Sequence, residues 1–417
     1  MVADVLRAAL HGEVIGPEDA GFDLHRKTFN AMVDARPAAI ARCASREDVI
    51  SAVAVGADRG LPLAVRGGGT SDAATVDGGI QIDLAELDQI EIDVPSRTAR
   101  VGGGASWGEL DEATQEHGLA VTGGRLSGLG VAGVALGDGS GWLERALGPT
   151  AASLVGAEVV LADGRVLEAG ADAELLWALR GAGAGLGVVT RLDLRLHPVG
   201  PHLVSGFLGF PRERAAEVAR AYRDHMARAP DQVGGGLLLG AGLGGVCTIV
   251  FCHLGTVAAG EEGVAPLRDL RPSLDAVAPN PYLAFQRIWD ASNPAGTRVH
   301  VRSAFLRELS DECIDAVVAR ANLPAASLSY VFLRPLGGAL SAGRPEEMAL
   351  EIPDAGWACE CVGLWPPVPA LDRGQVAWVD GFAQAVEPFA LAASPGRATR
   401  ERWLAVKRRC DRRGAFG

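Results

Sequence analysis

The sequence predicts an α+β fold in two domains, and three observations carry that prediction. The apolar stretch Leu61-Pro-Leu-Ala-Val65 runs directly into Arg66-Gly67-Gly68-Gly69-Thr70-Ser71, the pattern of a strand that ends on a turn of exposed backbone. Strand-like and helix-like patterns alternate over roughly the first 200 residues. After Pro198 and Pro201, amphipathic helices alternate with apolar strands, as expected of an antiparallel sheet backed by helices. The expected divisions are 1–200, 201–385, and a segment 386–417 that returns to the first domain.

Arg36-Pro-Ala-Ala-Ile-Ala-Arg-Cys43 reads as a short strand. Ser45 then caps a helix whose first turn carries Glu47 and Asp48 and whose stripe is Val49, Val53 and Ala54, with Arg59-Gly60 as its end. Strands follow at 61–65, 80–84, 89–93 and 98–101, and a helix from about Ser106 to His117 stops at Gly118. Segments 157–161 and 166–168 form a hairpin around Asp163-Gly164. A helix starts at Leu175–Leu179, and 188–196 is a long strand. In the second half, helices are expected at 211–229 and 311–321 and strands near 246–253, 298–305, 328–333 and 356–364; a basic helix, 397–409, comes last.

Composition excludes several classes. The chain has 417 residues, enough for two full cores, and its 55 glycines follow no period, which removes collagen and linker readings. A net charge of −12 argues against nucleic acid as a partner. Seven cysteines, an odd number, lie partly in strand-like runs such as Cys247/Cys252 and Cys359/Cys361, which suits buried reduced thiols. The stretch Gln232–Gly260 is long enough to span a bilayer, but glycines at 234–236 and 240–245 and the β-branched Thr248-Ile-Val-Phe251 fit two strands joined by a glycine turn. With no signal-like pattern in 1–14, the expectation is a cytoplasmic protein without a membrane partner. The oligomeric state is not legible.

Three glycines after a strand aim successive N–H groups at one point, a nest for an anion such as a dinucleotide pyrophosphate, with Arg66 as counter-charge. The same glycines also permit tight turns. No Gly-x-Ser-x-Gly elbow, His-Glu-x-x-His, Walker loop or Cys-x-x-Cys competes, and no metal site is expected.

An ordered series of segments resembles the berberine bridge enzyme-like family of FAD-dependent oxidoreductases, within the vanillyl-alcohol-oxidase/PCMH-type flavoprotein fold. The segments are 36–43, Val65-Arg-Gly-Gly-Gly69, Ile82-Asp-Leu84, Arg100-Val-Gly-Gly-Gly-Ala-Ser-Trp-Gly108, Gly137-Asp-Gly-Ser-Gly-Trp-Leu143, 157–165, 176–189, 303–311 and Leu336-Gly-Gly-Ala339. The likeness spans essentially the whole chain. It implies FAD held between an FAD-binding domain and a substrate domain with an antiparallel sheet. Carried onto this sequence, the cofactor contacts are Arg66, Gly67, Gly68, Gly69, Thr70, Ser71, Gly102, Gly104, Gly130, Gly137, Gly139, Gly141, Trp142, Gly187 and Val188.

The departures fall where the chemistry is expected. Many family members tether the flavin through a histidine after the glycine triplet, where this chain has Thr70, and some through a cysteine, where the best match is Leu126. A Tyr-x-Asn segment that supplies a base is matched by Phe389-Ala-Leu391, and phenylalanine accepts no proton. Asp138 stands where a glycine is usual; if it faced a phosphate at about 4 Å, the repulsion would cost roughly 1 kcal/mol in water and roughly 4 at an effective dielectric near 20.

By period two, His300 and Arg302 share one strand face, Tyr330, Phe332 and Arg334 another, and Ala358, Glu360, Val362 and Leu364 a third. Since the family sets its substrate sheet over the flavin, His300, Arg302, Tyr330, Arg334 and Glu360 are the catalytic candidates, with His300 or Tyr330 as base; structural ion pairs are the alternative use of these charges. The leading expectation is a tailoring oxidoreductase of specialised metabolism that binds FAD without a covalent bond and acts on a bulky, largely apolar small molecule. A redox-neutral cyclase or pericyclase with FAD structural or lost, and a non-catalytic carrier, are the alternatives.

Overall fold

Three short strands aim the glycine triplet. In the computed structural model, which describes residues 1–240, 246–323, 325–326, 328–341, 346–392 and 397–416, strands Ala39–Arg42 and Leu63–Arg66 both pair in parallel with Ile80–Asp83. Val14–Ile15 adds antiparallel at the outer edge. The crossover helix Arg46–Arg59 begins where Ser45 Oγ accepts from the Asp48 N–H at 3.1 Å and ends at Gly60, whose φ of +61° suits glycine. Gly67 thus leaves the sheet at the carboxyl end of a parallel strand, the end at which open α/β sheets bind ligands.

A second, antiparallel sheet runs in the order Ile90–Asp93, Thr98–Gly102, Val188–Arg195, Leu154–Val160, Val166–Glu168. The hairpin at Asp163-Gly164 forms as its sequence predicts. Against this sheet lies Trp107–Gln115, opened by a reciprocal cap between Ser106 and Glu109. The helix begun at Leu175 spans Ala173–Ala182, with its regular geometry lost at Arg180 and Gly181.

The C-terminal half is built on an eight-stranded antiparallel sheet, ordered Leu274–Asp275, His202–Phe210, Cys247–His253, Val233–Gly240, Tyr330–Pro335, Trp357–Trp365, Arg298–Leu306, with Ala278–Pro281 also on His202–Phe210. One face packs through Leu237, Ile249, Phe251, Val331, Leu333 and Cys359 onto the helices Ala215–Met226, Val257–Arg268, Asp311–Ala321 and Asp372–Val386. The other face meets the N-terminal half through Phe332, Trp142 and Phe285. The stretch Gln232–Gly260 supplies two of these strands; the glycine turn expected between them, 241–245, lies outside the described residues. No described helix is long and apolar enough to cross a membrane. All seven cysteines are buried and unbridged.

The helix Arg397–Cys410 turns back to the N-terminal half. Val406 and Cys410 join the core around Leu179 and Leu186, and Phe416 bridges in parallel to Leu63.

Candidate functional site

Between the two halves lies a cavity of about 640 Å³. A third of the residues around it are glycines, among them Gly67, Gly68, Gly69, Gly130, Gly137, Gly139 and Gly187, with Thr70 and Ser71 beside them. The N–H groups of Gly68, Gly69 and Thr70 donate to no backbone or side-chain acceptor among the described residues. A run of unspent donors facing a cavity fits a diphosphate, which would satisfy them. Two loops also touch backbone to backbone here: a Cβ on Gly68 would stand 2.3 Å from Gly130 N, and one on Gly130 2.4 Å from Gly68 N. Gly68→Ala is therefore expected to push the triplet off Gly130 at a cost of about 1–3 kcal/mol. The ratio of flavin to protein absorbance in the purified variant, which should fall well below that of the wild type, checks this.

Part of the cavity wall is charged. Its charged residues are Arg125, Asp138, Arg334 and Glu360. Behind it Glu144, on the turn Glu144–Leu147 and almost wholly buried, pairs with Arg334 at 2.5 Å and with Arg125 at 3.6 Å, while its other oxygen accepts from Gly141 N–H at 3.1 Å. Arg334 Nη2 then reaches Glu360 Oε1 at 3.3 Å, leaving Oε2 without a hydrogen bond among the described residues. Burial works against the charge on Arg334, but Glu144 and Glu360 outweigh it and raise its proton affinity. Burial lowers that of Arg125, with Glu144 opposing. Arg125 also stacks over the rings of Trp142 and Phe332, 5.0 and 5.5 Å from their centroids. Glu144 and Glu360 balance Arg125 and Arg334, and Asp138 adds a third carboxylate; the Glu360 side chain is 25% exposed.

The sequence candidates divide by strand face. Tyr330, Arg334 and Glu360 all line the cavity. Burial first, then the charge of Glu360, pushes the Tyr330 phenol up, so it keeps its proton and offers a donor rather than a base. His300 and Arg302 do share a face, but it is the wrong one. In the register Ser303 opposes Glu360 and Val301 opposes Val362, so His300 and Arg302 project to the helix side. There both bind Asp380 of the helix Asp372–Val386, at 2.9 and 3.1 Å. Neither can serve as a base in the cavity. Phe389 packs against the helix-side core instead of the cavity.

Several assigned cofactor contacts need correction. Arg66 is paired in register with Asp83, so its guanidinium donates to Lys27 O at 2.6 Å and lies 3.6 Å from the Asp83 carboxylate, outside the cavity wall. Gly102 and Gly104 face away from the cavity: Cβ atoms there would stand 2.1 Å from Leu87 O and 1.8 Å from Leu84 O, and Gly103 between them is the one on the wall. The same alternation buries Val188 in the N-terminal core and puts Val189 on the wall. Gly141 is pressed on Gly123, and Trp142 lies beneath the wall in a cluster with Phe285, Trp289 and Phe332.

Thr70 and Leu126 both border the cavity; Thr70 offers no ring nitrogen and Leu126 no thiol. Asp138 borders it too and is solvent-exposed, where a charge costs little. Sequence reasoning did not single out Glu144, Arg125, Trp289 or Asn293 as site residues. Trp289 and Asn293 sit on a segment tied to the N-terminal half, where Asp290 accepts from Ser127 N–H at 2.9 Å and Ser127 Oγ–H at 2.6 Å. Beside it Gln286 donates to the buried Asp111 at 3.1 Å, whose carboxyl burial pushes up to about 7.

Residues 37–170 match the FAD binding domain family. (R)-6-hydroxynicotine oxidase of Paenarthrobacter nicotinovorans is 34% identical over 283 residues, 66% of this chain; the match spans only 62% of that protein's length. The crystal structure of 6-hydroxy-D-nicotine oxidase from Arthrobacter nicotinovorans superimposes with a TM-score of 0.88 at 26% identity, over 98% of this chain and 96% of that one. Berberine bridge enzyme from Eschscholzia californica shares the fold, with a TM-score of 0.88 at 18% identity over 100% and 98% of the two chains. The FAD-binding match, the 34% relative and the glycine-walled cavity agree: residues 37–170 form a domain of the FAD binding family, and the chain is similar in sequence and fold to FAD-linked oxidoreductases.

Proposed function

We propose that the chain is an oxidoreductase that binds FAD without a covalent bond and oxidises a bulky, largely apolar small molecule of specialised metabolism, not a nucleic acid or a membrane component. The observation that carries this reading is a glycine-walled cavity bordered by Thr70, Leu126 and Glu360. Bound FAD supplies a hydride acceptor. The chain supplies the rest. Backbone donors of the glycine triplet hold the anionic part of the cofactor, because Arg125 and Arg334 are already spent on Glu144 and Glu360. Glu360, oriented through Oε1 by Arg334, takes a proton from a substrate O–H or N–H at Oε2. Tyr330 donates a hydrogen bond from its phenol, and Trp289 and Leu126 offer apolar surface that excludes water.

A second reading keeps the cavity and drops the redox step. With no tether and no tyrosine at position 389, the same enclosure could fold a reactive chain and accelerate a cyclisation by geometry alone. Anaerobic addition of substrate separates the two. Bleaching of the flavin absorbance, with a product two hydrogens lighter, is expected of the oxidoreductase; an unbleached flavin with a product of equal mass would establish the cyclase instead.

A further inference from the structure

The C-terminal tail carries a built structure that the cofactor reading does not use. Lys407, in the last turn of Arg397–Cys410, places its ammonium among three acceptors: Gly185 O at 2.6 Å, Phe416 O at 2.7 Å and Asp411 Oδ2 at 2.9 Å. The Asp411 side chain is fully buried and spends its oxygens on the tail, accepting from Ala415 N–H at 2.9 Å and Phe416 N–H at 3.1 Å. Ala415 O in turn accepts from Leu63 N–H at 3.0 Å, so the tail runs beside the strand that launches the glycine triplet. Two of the residues so fixed, Gly185 and Phe416, belong to the cavity wall.

We propose that Lys407, Asp411 and Phe416 form part of the FAD seat, with Lys407 pinning the glycine loop 183–187 and the tail to strand Leu63–Arg66. This rests on FAD as the occupant of the cavity. The wall is complete here only while the tail is docked and Phe416 is in place, so a ligand that needs the complete wall binds the docked form, and binding and docking are linked. Burial disfavours the charge on Asp411, yet the bonds from Lys407, Ala415 and Phe416 outweigh it and hold its carboxyl below the ordinary range. Without the ammonium, two carbonyls and this carboxylate are left short of a partner in a protected place.

FAD titrated into flavin-free protein, followed by flavin fluorescence, tests this. Lys407→Met keeps the aliphatic stem and removes the charge, and its Kd for FAD is expected to rise about tenfold or more. Phe416→Ala leaves the backbone contacts of Lys407 in place and removes a buried ring clustered with Leu63 and Val188; in the folded variant Kd should rise in the same direction, so it carries the test if Lys407→Met does not fold. Trypsin acting at Arg408, Arg409, Arg412 and Arg413 should cut the wild type more slowly once FAD is added. Wild-type Kd values in both folded variants, with tail cleavage indifferent to FAD, would overturn the proposal. A wild-type protein that binds no FAD would overturn the cofactor reading instead.

Discussion

Glu360→Gln is expected to slow substrate-dependent flavin reduction by about 10²–10⁴, the usual worth of a positioned general base, while FAD content stays at the wild-type level. The substitution keeps the side chain's size and a carbonyl oxygen for Arg334, so the wall should hold its shape. What disappears is the proton acceptor. Glu360 is set apart from its neighbours by geometry. Its partner Arg334 occupies one oxygen, Tyr330 keeps its own proton, and His300 sits across the sheet with Asp380. Stopped-flow flavin reduction by the substrate that bleaches the wild type is the measurement. A rate within threefold of wild type would remove Glu360 from the chemistry. His300→Ala, by contrast, should leave the reduction rate unchanged, because its side chain faces the helix layer.

Glu144→Ala carries the largest expected effect on stability. Glu144 comes from the N-terminal half and Arg334 from the eight-stranded sheet, and both side chains are at least nine-tenths buried. Removing the carboxylate leaves Arg125 without an ion-pair partner among the described residues and Arg334 with Glu360 alone, both in a low-dielectric interior. Breaking a buried pair in this way typically costs about 3–5 kcal/mol, far more than the net worth of the intact pair, since the stranded charges keep their desolvation penalty. A large downward shift in the urea midpoint is the expected result. An exposed pair offers the contrast: Asp354 with Arg307 should contribute nothing measurable, and Asp354→Ala is the control. Equal midpoints for the two variants would mean that the triad does not hold the halves together.

Much of the fold was legible because its signals are local. Ser45 as a cap, a helix starting at about Ser106, Asp163-Gly164 as a hairpin and the apolar strand ahead of Gly67 each act within a few residues, and all form where the sequence puts them. The site was legible only in part, because its geometry depends on partners distant in sequence. Period two correctly grouped His300 with Arg302 and Tyr330 with Arg334, but it cannot tell which face receives the helix Asp372–Val386. Arg66 looked like a counter-charge until register set it beside Asp83. Gly102 and Gly104 are glycines for the sake of Leu87 O and Leu84 O, contacts that no local pattern announces. Glu144 was missed for a related reason: in Leu143-Glu144-Arg145 it reads as one charge among many on a surface turn, and only the fold buries it.

On the reading proposed above, this cavity holds FAD by backbone donors and shape, with no covalent bond to Thr70 or Leu126 of its wall. Acid precipitation of freshly purified yellow protein tests that most directly. The expected result is all of the flavin absorbance near 450 nm in the supernatant, as intact FAD, with a colourless pellet. A yellow pellet whose band fluoresces on a denaturing gel would mean a covalent bond to a side chain in the wall, and would contradict the claim.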